Sequence, residues 1–223
     1  MKVIRGIPPA TDWTPCALTI GNFDGVHRGH QALLKKLVAK AKSLQVQSCV
    51  MTFEPHPIEY FAPEKAPARI LGLRDKLEAL AEIGIDQVLV VHFNQAFANL
   101  SPEAFVKDIL VDGLQVKSIL IGDDFHYGAK RAGNFSDLQT AGKQFGFSVE
   151  SMETLVEDQE RISSSAIRLA LQNGHMDRAQ QLLGRPYIAK LLTMQYMATQ
   201  HIGATEQLLS SIHLSILKRQ PDG

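Results

Sequence analysis

Short apolar, β-branched runs alternate along this chain with segments whose apolar residues recur at helical spacing, and that alternation leaves few folds open to it. Residues 16–22 (C-A-L-T-I-G-N) are an apolar run ending near Gly21, after which Leu33, Leu34, Leu37 and Val38 mark a helix over 31–41. A second strand, 47–53 (Q-S-C-V-M-T-F), stops before Pro55 and Pro57, since proline cannot donate to a central ladder. Leu77, Leu80 and Ile83 predict a helix over 74–83, and the β-branched run 87–93 suits a strand buried on both faces. Ser101, Pro102 and Glu103 fit an N-cap, a first-turn proline and a dipole-favoured carboxylate for a helix reaching Leu110, without a capping box because Ala104 holds the third position. Residues 117–122 and 147–152 read as strands around a helix at 138–145. Such alternation predicts a mostly parallel sheet covered by helices on both faces, a doubly wound α/β class.

Two short helical patterns follow, 164–171 and 176–183, divided by Asn173 and Gly174. The texture then changes: only five of the 36 residues in 188–223 are charged, against 41 of the 187 before. A boundary is therefore expected near Tyr187, giving a domain over 1–187 and a small, helical C-terminal segment over 188–223, where Leu208, Leu209, Ile212, Ile216 and Leu217 suit one amphipathic helix. Lys+Arg and Asp+Glu both number 23, so the formal net charge is 0, which disfavours nucleic acid and anionic membranes as partners. Cys16 and Cys49 stand alone, so neither a disulfide framework nor a paired-cysteine zinc site is expected. No apolar signal core follows residues 1–5 and no apolar stretch is long enough for a membrane span, so the expected setting is the cytoplasm.

In an open α/β sheet, ligands bind beyond the carboxyl ends of the strands, where strand order reverses. The first predicted strand runs into G-N-F-D-G-V-H-R-G-H (21–30), in which Gly25 and Gly29 allow close backbone approach. His27 and His30, three apart at the opening of a helix, can face one anion at its positive end. The sequence has neither G-x-x-x-x-G-K-[ST] nor G-x-G-x-x-G, so this is neither a P-loop nor a dinucleotide fingerprint. The other readings are a tight turn with packed or capping histidines, or a metal site at His27 and His30.

This motif resembles the H-x-G-H signature of the nucleotidylyltransferase superfamily, and in particular the FMN adenylyltransferase module of bacterial FAD synthetases. Three further segments match in order: T-F-E-P-H-P (52–57), G-D-D-F-H-Y-G (122–128) and I-S-S-S-A-I-R (162–168). The similarity covers residues 1 to about 187. It implies a Rossmann-like nucleotidylyltransferase fold and transfer of AMP from ATP to the phosphate of FMN, giving FAD and pyrophosphate with Mg²⁺. The alternatives are an adenylyl- or cytidylyltransferase acting on another phosphate, and a non-catalytic flavin or nucleotide binder.

The resemblance assigns catalysis to His27, His30 and Arg168, and ATP binding to Gly21, Phe23, Gly25, His27, His30, Ser163, Ser164, Ser165 and Arg168. The simple alternatives are N-capping for the serines and a solvated helix charge for Arg168. Pro55, His56, Pro57, Asp124 and Phe125 are the candidates for the flavin, with a loop brace and a turn aspartate as the plain readings of His56 and Asp124. Asp24 is a candidate to seat Mg²⁺ through water, or a turn residue. His126 and Tyr127 stand where this family usually has arginine and phenylalanine, and Ser165 where it has threonine. The family normally continues after G-R-P-Y (184–187) into a riboflavin kinase β-barrel with a P-T-A-N motif, which this sequence lacks; the resemblance thus implies FAD synthesis without riboflavin kinase activity.

Overall fold

A computed structural model describes residues 1–7, 13–122, 125–152, 156–157 and 160–187. The expected tail at 188–223 lies outside them, as does Asp124. Strands β1 (Lys2–Arg5), β2 (Cys16–Ile20), β3 (Gln47–Glu54), β4 (Gln87–His92), β5 (Val116–Gly122) and β6 (Ser148–Met152) form one sheet in the order β1-β4-β3-β2-β5-β6. Every pairing in it is parallel. The chain starts its winding at β2, moves outward through β3 and β4, then returns to lay β5 on the other flank of β2. The reversal point is thus the gap between β2 and β5, and the doubly wound α/β expectation holds.

Side-chain alternation along the strands divides the core between two faces. Leu18, Ile20, Cys49, Met51, Leu89, Val91, Ile119 and Ile121 join one cluster with Phe105, Ile109 and Leu110. Ala17, Val50, Val88, Val90 and Leu120 join the other, with Leu34 and Leu37 from α1 (Arg28–Leu44) and Leu80 from α3 (Leu73–Ile83). The helix expected over 102–110 begins as α5 (Pro102–Ala104), with Ser101 Oγ accepting from the Ala104 N–H at 3.1 Å, and continues π-helically over Phe105–Gly113. Short helices α2 (Pro57–Phe61) and α4 (Gln95–Ala98) follow β3 and β4, and α6 (Phe135–Phe145) precedes β6.

A small antiparallel pair, β7 (Val156–Glu157) and β8 (Glu160–Arg161), leads to α7 (Ser164–Gln172) and α8 (Met176–Leu183). These two helices make a third cluster from Ile162, Ile167, Ala170, Leu171, Ala179, Leu182 and Leu183, joined by Ile70 from the segment before α3. No helix among the described residues is long and apolar enough to cross a membrane.

Candidate active site

The segment after β2 is a backbone under strain. Phe23 (φ 48°), Gly25 (φ 83°) and Val26 (φ 40°) are all left-handed. Glycine adopts that region freely, but a buried β-branched valine there is a true outlier of the kind that collects at ligand sites. The turn delivers His27 as the N-cap of α1, its Nδ1 accepting from the His30 N–H at 3.3 Å. The two imidazoles stack with centroids 3.6 Å apart and planes 17° from parallel, and the Phe23 ring meets His30 edge-on at 5.0 Å.

One polar atom stands out here. His30 Nδ1 is buried without a hydrogen-bond partner, as is Asn22 Oδ1 in the same loop. Burial, with His27 and Lys76 nearby, holds the His30 pKa well below its ordinary value, so the ring is neutral at pH 7. A neutral, unsatisfied imidazole at the positive end of a 17-residue helix is a place prepared for an anion.

Asp24 is buried, and its carboxylate is fully engaged. Oδ1 accepts from the Ile70 and Leu71 N–H groups at 3.0 and 3.2 Å, and Oδ2 from Ile70 N at 3.2 Å and Arg168 Nη2 at 2.5 Å. Three donors, with the Ile70 N–H shared between both oxygens, thus occupy a buried carboxylate, which does not suit it as a direct metal ligand. No group of three or more His, Cys, Asp or Glu among the described residues is placed to hold a metal.

Arg168 also donates from Nε to the Ala68 carbonyl at 2.7 Å. The serine-rich segment latches to the same loop: Ser164 Oγ donates to the Asp24 carbonyl at 2.8 Å, while Ser163 caps α7 through the Ala166 N–H at 3.2 Å. Ser165 is exposed. The structure therefore brings 21–30 and 163–168 together, but spends the Ser164 hydroxyl and much of Arg168 on holding them together, and the Ser163 hydroxyl on capping α7. Gly21 donates to the Met51 carbonyl at 3.0 Å and so carries the β2–β3 ladder one residue further.

On the neighbouring flank, a cis peptide bond joins Glu54 to Pro55. Pro55 and Pro57 are half-buried at the end of β3, whereas the His56 ring is buried and turned to Lys76, with Nε2 and Nζ 3.1 Å apart. Outside it runs a chain of aromatic contacts, Tyr60–Phe61, Phe61–Phe93, Phe93–Phe97, Phe97–Phe105, Phe105–Tyr127 and Phe125–Tyr127, with centroids 5.2 to 6.2 Å apart. Phe61 is 67% exposed at one end of it. Phe125, partly buried, thus ends a row of aromatic rings in which Phe93, Phe105 and Tyr127 belong to the buried core and only Tyr60 and Phe61 are exposed. His126 is exposed, and Arg131 Nη2 lies 3.4 Å from its Nδ1, so the loop after β5 carries positive charge from a residue later than the expected one.

Lys76 is the residue that sequence reasoning passed over. It is fully buried on α3, and its one side-chain hydrogen-bond partner among the described residues is His56. Its signal was present, a lysine one turn before Leu80 on the apolar face of the helix. Burial pulls its pKa from 10.5 to about 8, and pulls His56 to about 4 with help from Lys76 and Arg69. Arg69 itself bridges Glu54 and Glu59, Nη2 lying 2.6 and 2.5 Å from their oxygens.

A lysine depressed in the folded chain makes the fold less stable at every pH below about 8, and the deficit fades as pH rises toward 10.5. Lys76→Met is accordingly expected to stabilise the protein at pH 7 by roughly 2–3 kcal/mol, the scale of the pKa displacement, with the gain vanishing above pH 10.5. Denaturant melts at pH 7 and pH 10.5 measure this; a loss of stability at pH 7 would mean that the ammonium is bound more firmly than its surroundings imply.

Comparison with known proteins agrees with this geometry. The FAD synthetase family profile matches residues 10–166. The chain is 49% identical over 189 residues to a bifunctional riboflavin kinase/FMN adenylyltransferase of Escherichia coli, covering 84% of this chain and 60% of that one. It is 47% identical over 203 residues to the protein of that name from Pseudomonas fluorescens, covering 90% and 65%. The chain thus spans about 60% of the length of these curated relatives. Among solved structures, a protein described as a macrolide-efflux protein from Streptococcus pneumoniae superposes with a TM-score of 0.72 at 26% identity, over 84% of this chain and 63% of that one. Its description concerns efflux, whereas in this chain the loop after β2 is tied to Thr52 at the end of β3 and to Ser164 and Arg168 at the start of α7. With the profile spanning more than half its length and the loop it describes built as above, this chain belongs to the FAD synthetase family.

Proposed function

We propose that the protein transfers the AMP moiety of ATP to the phosphate of FMN, giving FAD and pyrophosphate. The observation that carries this reading is His30 Nδ1, buried and unpartnered beside the strained loop at the sheet's reversal point. ATP lies with its phosphates over the N-terminus of α1, against His27 and His30, and the flavin lies on the partly exposed end of the aromatic row that includes Phe125. Pro55 and Pro57 stiffen the edge between them, and Asp124, outside the described residues, stays a candidate flavin contact on the resemblance alone.

The FMN phosphate is already anionic, so its oxygen attacks the α-phosphorus without a general base. The new P–O bond forms as the bond to the bridging oxygen breaks, and pyrophosphate leaves with that electron pair. His30, whose burial favours the neutral ring, gains its protonated form once a polyphosphate lies against it, and with His27 it stabilises the charge that moves onto the leaving group. Arg168 and the serines hold the loop in place, with the Ser165 hydroxyl and the first N–H groups of α7 left to meet the β- and γ-phosphates. Mg²⁺ enters as the companion of ATP, coordinated by phosphate oxygens and water.

The test is incubation of the purified 223-residue protein with FMN and Mg·ATP, followed by chromatography. FAD and pyrophosphate are expected in equal amounts, and riboflavin supplied in place of FMN is expected to remain riboflavin. Binding of both substrates without FAD would leave a sensor; adenylation of another phosphate in preference to FMN would replace the acceptor.

A further inference from the structure

Gly184 ends α8 in the left-handed region (φ 71°) and turns the chain back toward α1. The next side chain, Arg185, reaches the strained loop: Nη2 donates to the Gly25 carbonyl at 2.6 Å and Nη1 to the Val26 carbonyl at 3.0 Å. Gln31 adds a second tie, its Nε2 donating to Val26 O at 2.9 Å and to Leu183 O at 2.8 Å. Gly25 and Val26 are buried, so their carbonyls need partners, and their left-handed conformations point them away from any regular ladder. A guanidinium answers two diverging carbonyls with one rigid fork.

We infer that Arg185 is a positioning residue for the nucleotide: with Gln31 it holds the Gly25 and Val26 carbonyls, and so fixes where His27 and His30 stand. The inference rests on the reading of this loop as the ATP site. Among the described residues, Arg185's side-chain hydrogen bonds go to Gly25, Val26 and Leu183, and none reaches the aromatic row assigned to the flavin. Its removal is therefore felt by ATP and not by FMN. G-R-P-Y, read from sequence as no more than a boundary marker, is in this structure part of the site's support.

The experiment compares Arg185→Met and Arg185→Lys with the wild type by ATP calorimetry, by KM for each substrate and by thermal melting. Arg185→Met is expected to weaken ATP binding about 10- to 100-fold, the scale set by ångström-level misplacement, while KM for FMN stays within about twofold. Arg185→Lys recovers part of the loss, because an ammonium satisfies one carbonyl but cannot fork across two. Unchanged ATP affinity, or equal losses for ATP and FMN, overturns the inference. If Arg185→Met does not fold, the same criteria apply to Arg185→Lys. A wild type that binds ATP but does not adenylate FMN defeats the proposed function while the ATP measurements still decide the role of Arg185; a wild type that binds no ATP overturns both.

Discussion

His30→Ala is expected to lower the rate of FAD formation from FMN by about 10²–10³-fold, the loss typical of removing one group that stabilises developing charge. The fold should not suffer. His30 Nδ1 has no partner to lose, and its depressed pKa means that the native ring costs stability as pH falls below 6.5, where the unfolded chain takes up a proton that the folded chain resists. The variant is therefore expected to melt at or above the wild-type temperature near pH 5.5 and to lose part of the wild type's sensitivity to acid. Near-normal turnover with an unchanged circular dichroism spectrum would remove His30 from the mechanism.

Asp24→Ala should act in the opposite sense, on the fold first. Its carboxylate is the shared acceptor for two backbone N–H groups and the Arg168 guanidinium, all in a buried position, and removing one member of such a pair leaves an uncompensated charge. The expected destabilisation is about 3–5 kcal/mol, or a fall of roughly 10–15 °C for a domain of this size. Arg168→Ala should cost less, and the double variant less than the sum of the two, because the stranded guanidinium is then gone. A near-neutral Asp24→Asn whose lost activity returns with added Mg²⁺ would favour the reading in which Asp24 seats Mg²⁺ through water. A melting drop that no amount of Mg²⁺ relieves confirms the bracket.

Much of the architecture was legible because parallel-sheet strands announce themselves. Runs such as Val88 to Val91 are buried on both faces and have no polar alternation to confuse them with surface helices. β1 was missed for the complementary reason: Lys2–Arg5 is an edge strand, mostly exposed, with two charges in four residues, and only its pairing to β4 makes it a strand. The positions of His27 and His30 at a helix start could be read from spacing, since both lie within one turn. Asp24 could not be resolved between turn and metal, because its partners Ile70, Leu71 and Arg168 lie 46 to 144 residues away and nothing local hints at them. Long-range support of this kind leaves no periodic trace. Lys76 differs: its place on an apolar helical stripe was visible, and only the habit of treating lysine as solvated hid it.

The loop that defines this family is written in full by residue 30, yet many of the hydrogen bonds that hold it come from far along the chain, from residues 70, 71, 164, 168 and 185. Sequence separations of 144 and 160 place those ties among the slowest contacts for a chain to close. During synthesis, β2, α1 and β3 can form and bury their shared face long before Arg168 and Arg185 have been added. Over that interval the turn at Phe23–Val26 has no reason to keep its left-handed geometry. On the proposed function, nucleotide binding is thus the last property this domain acquires, gained only when its final helical pair docks.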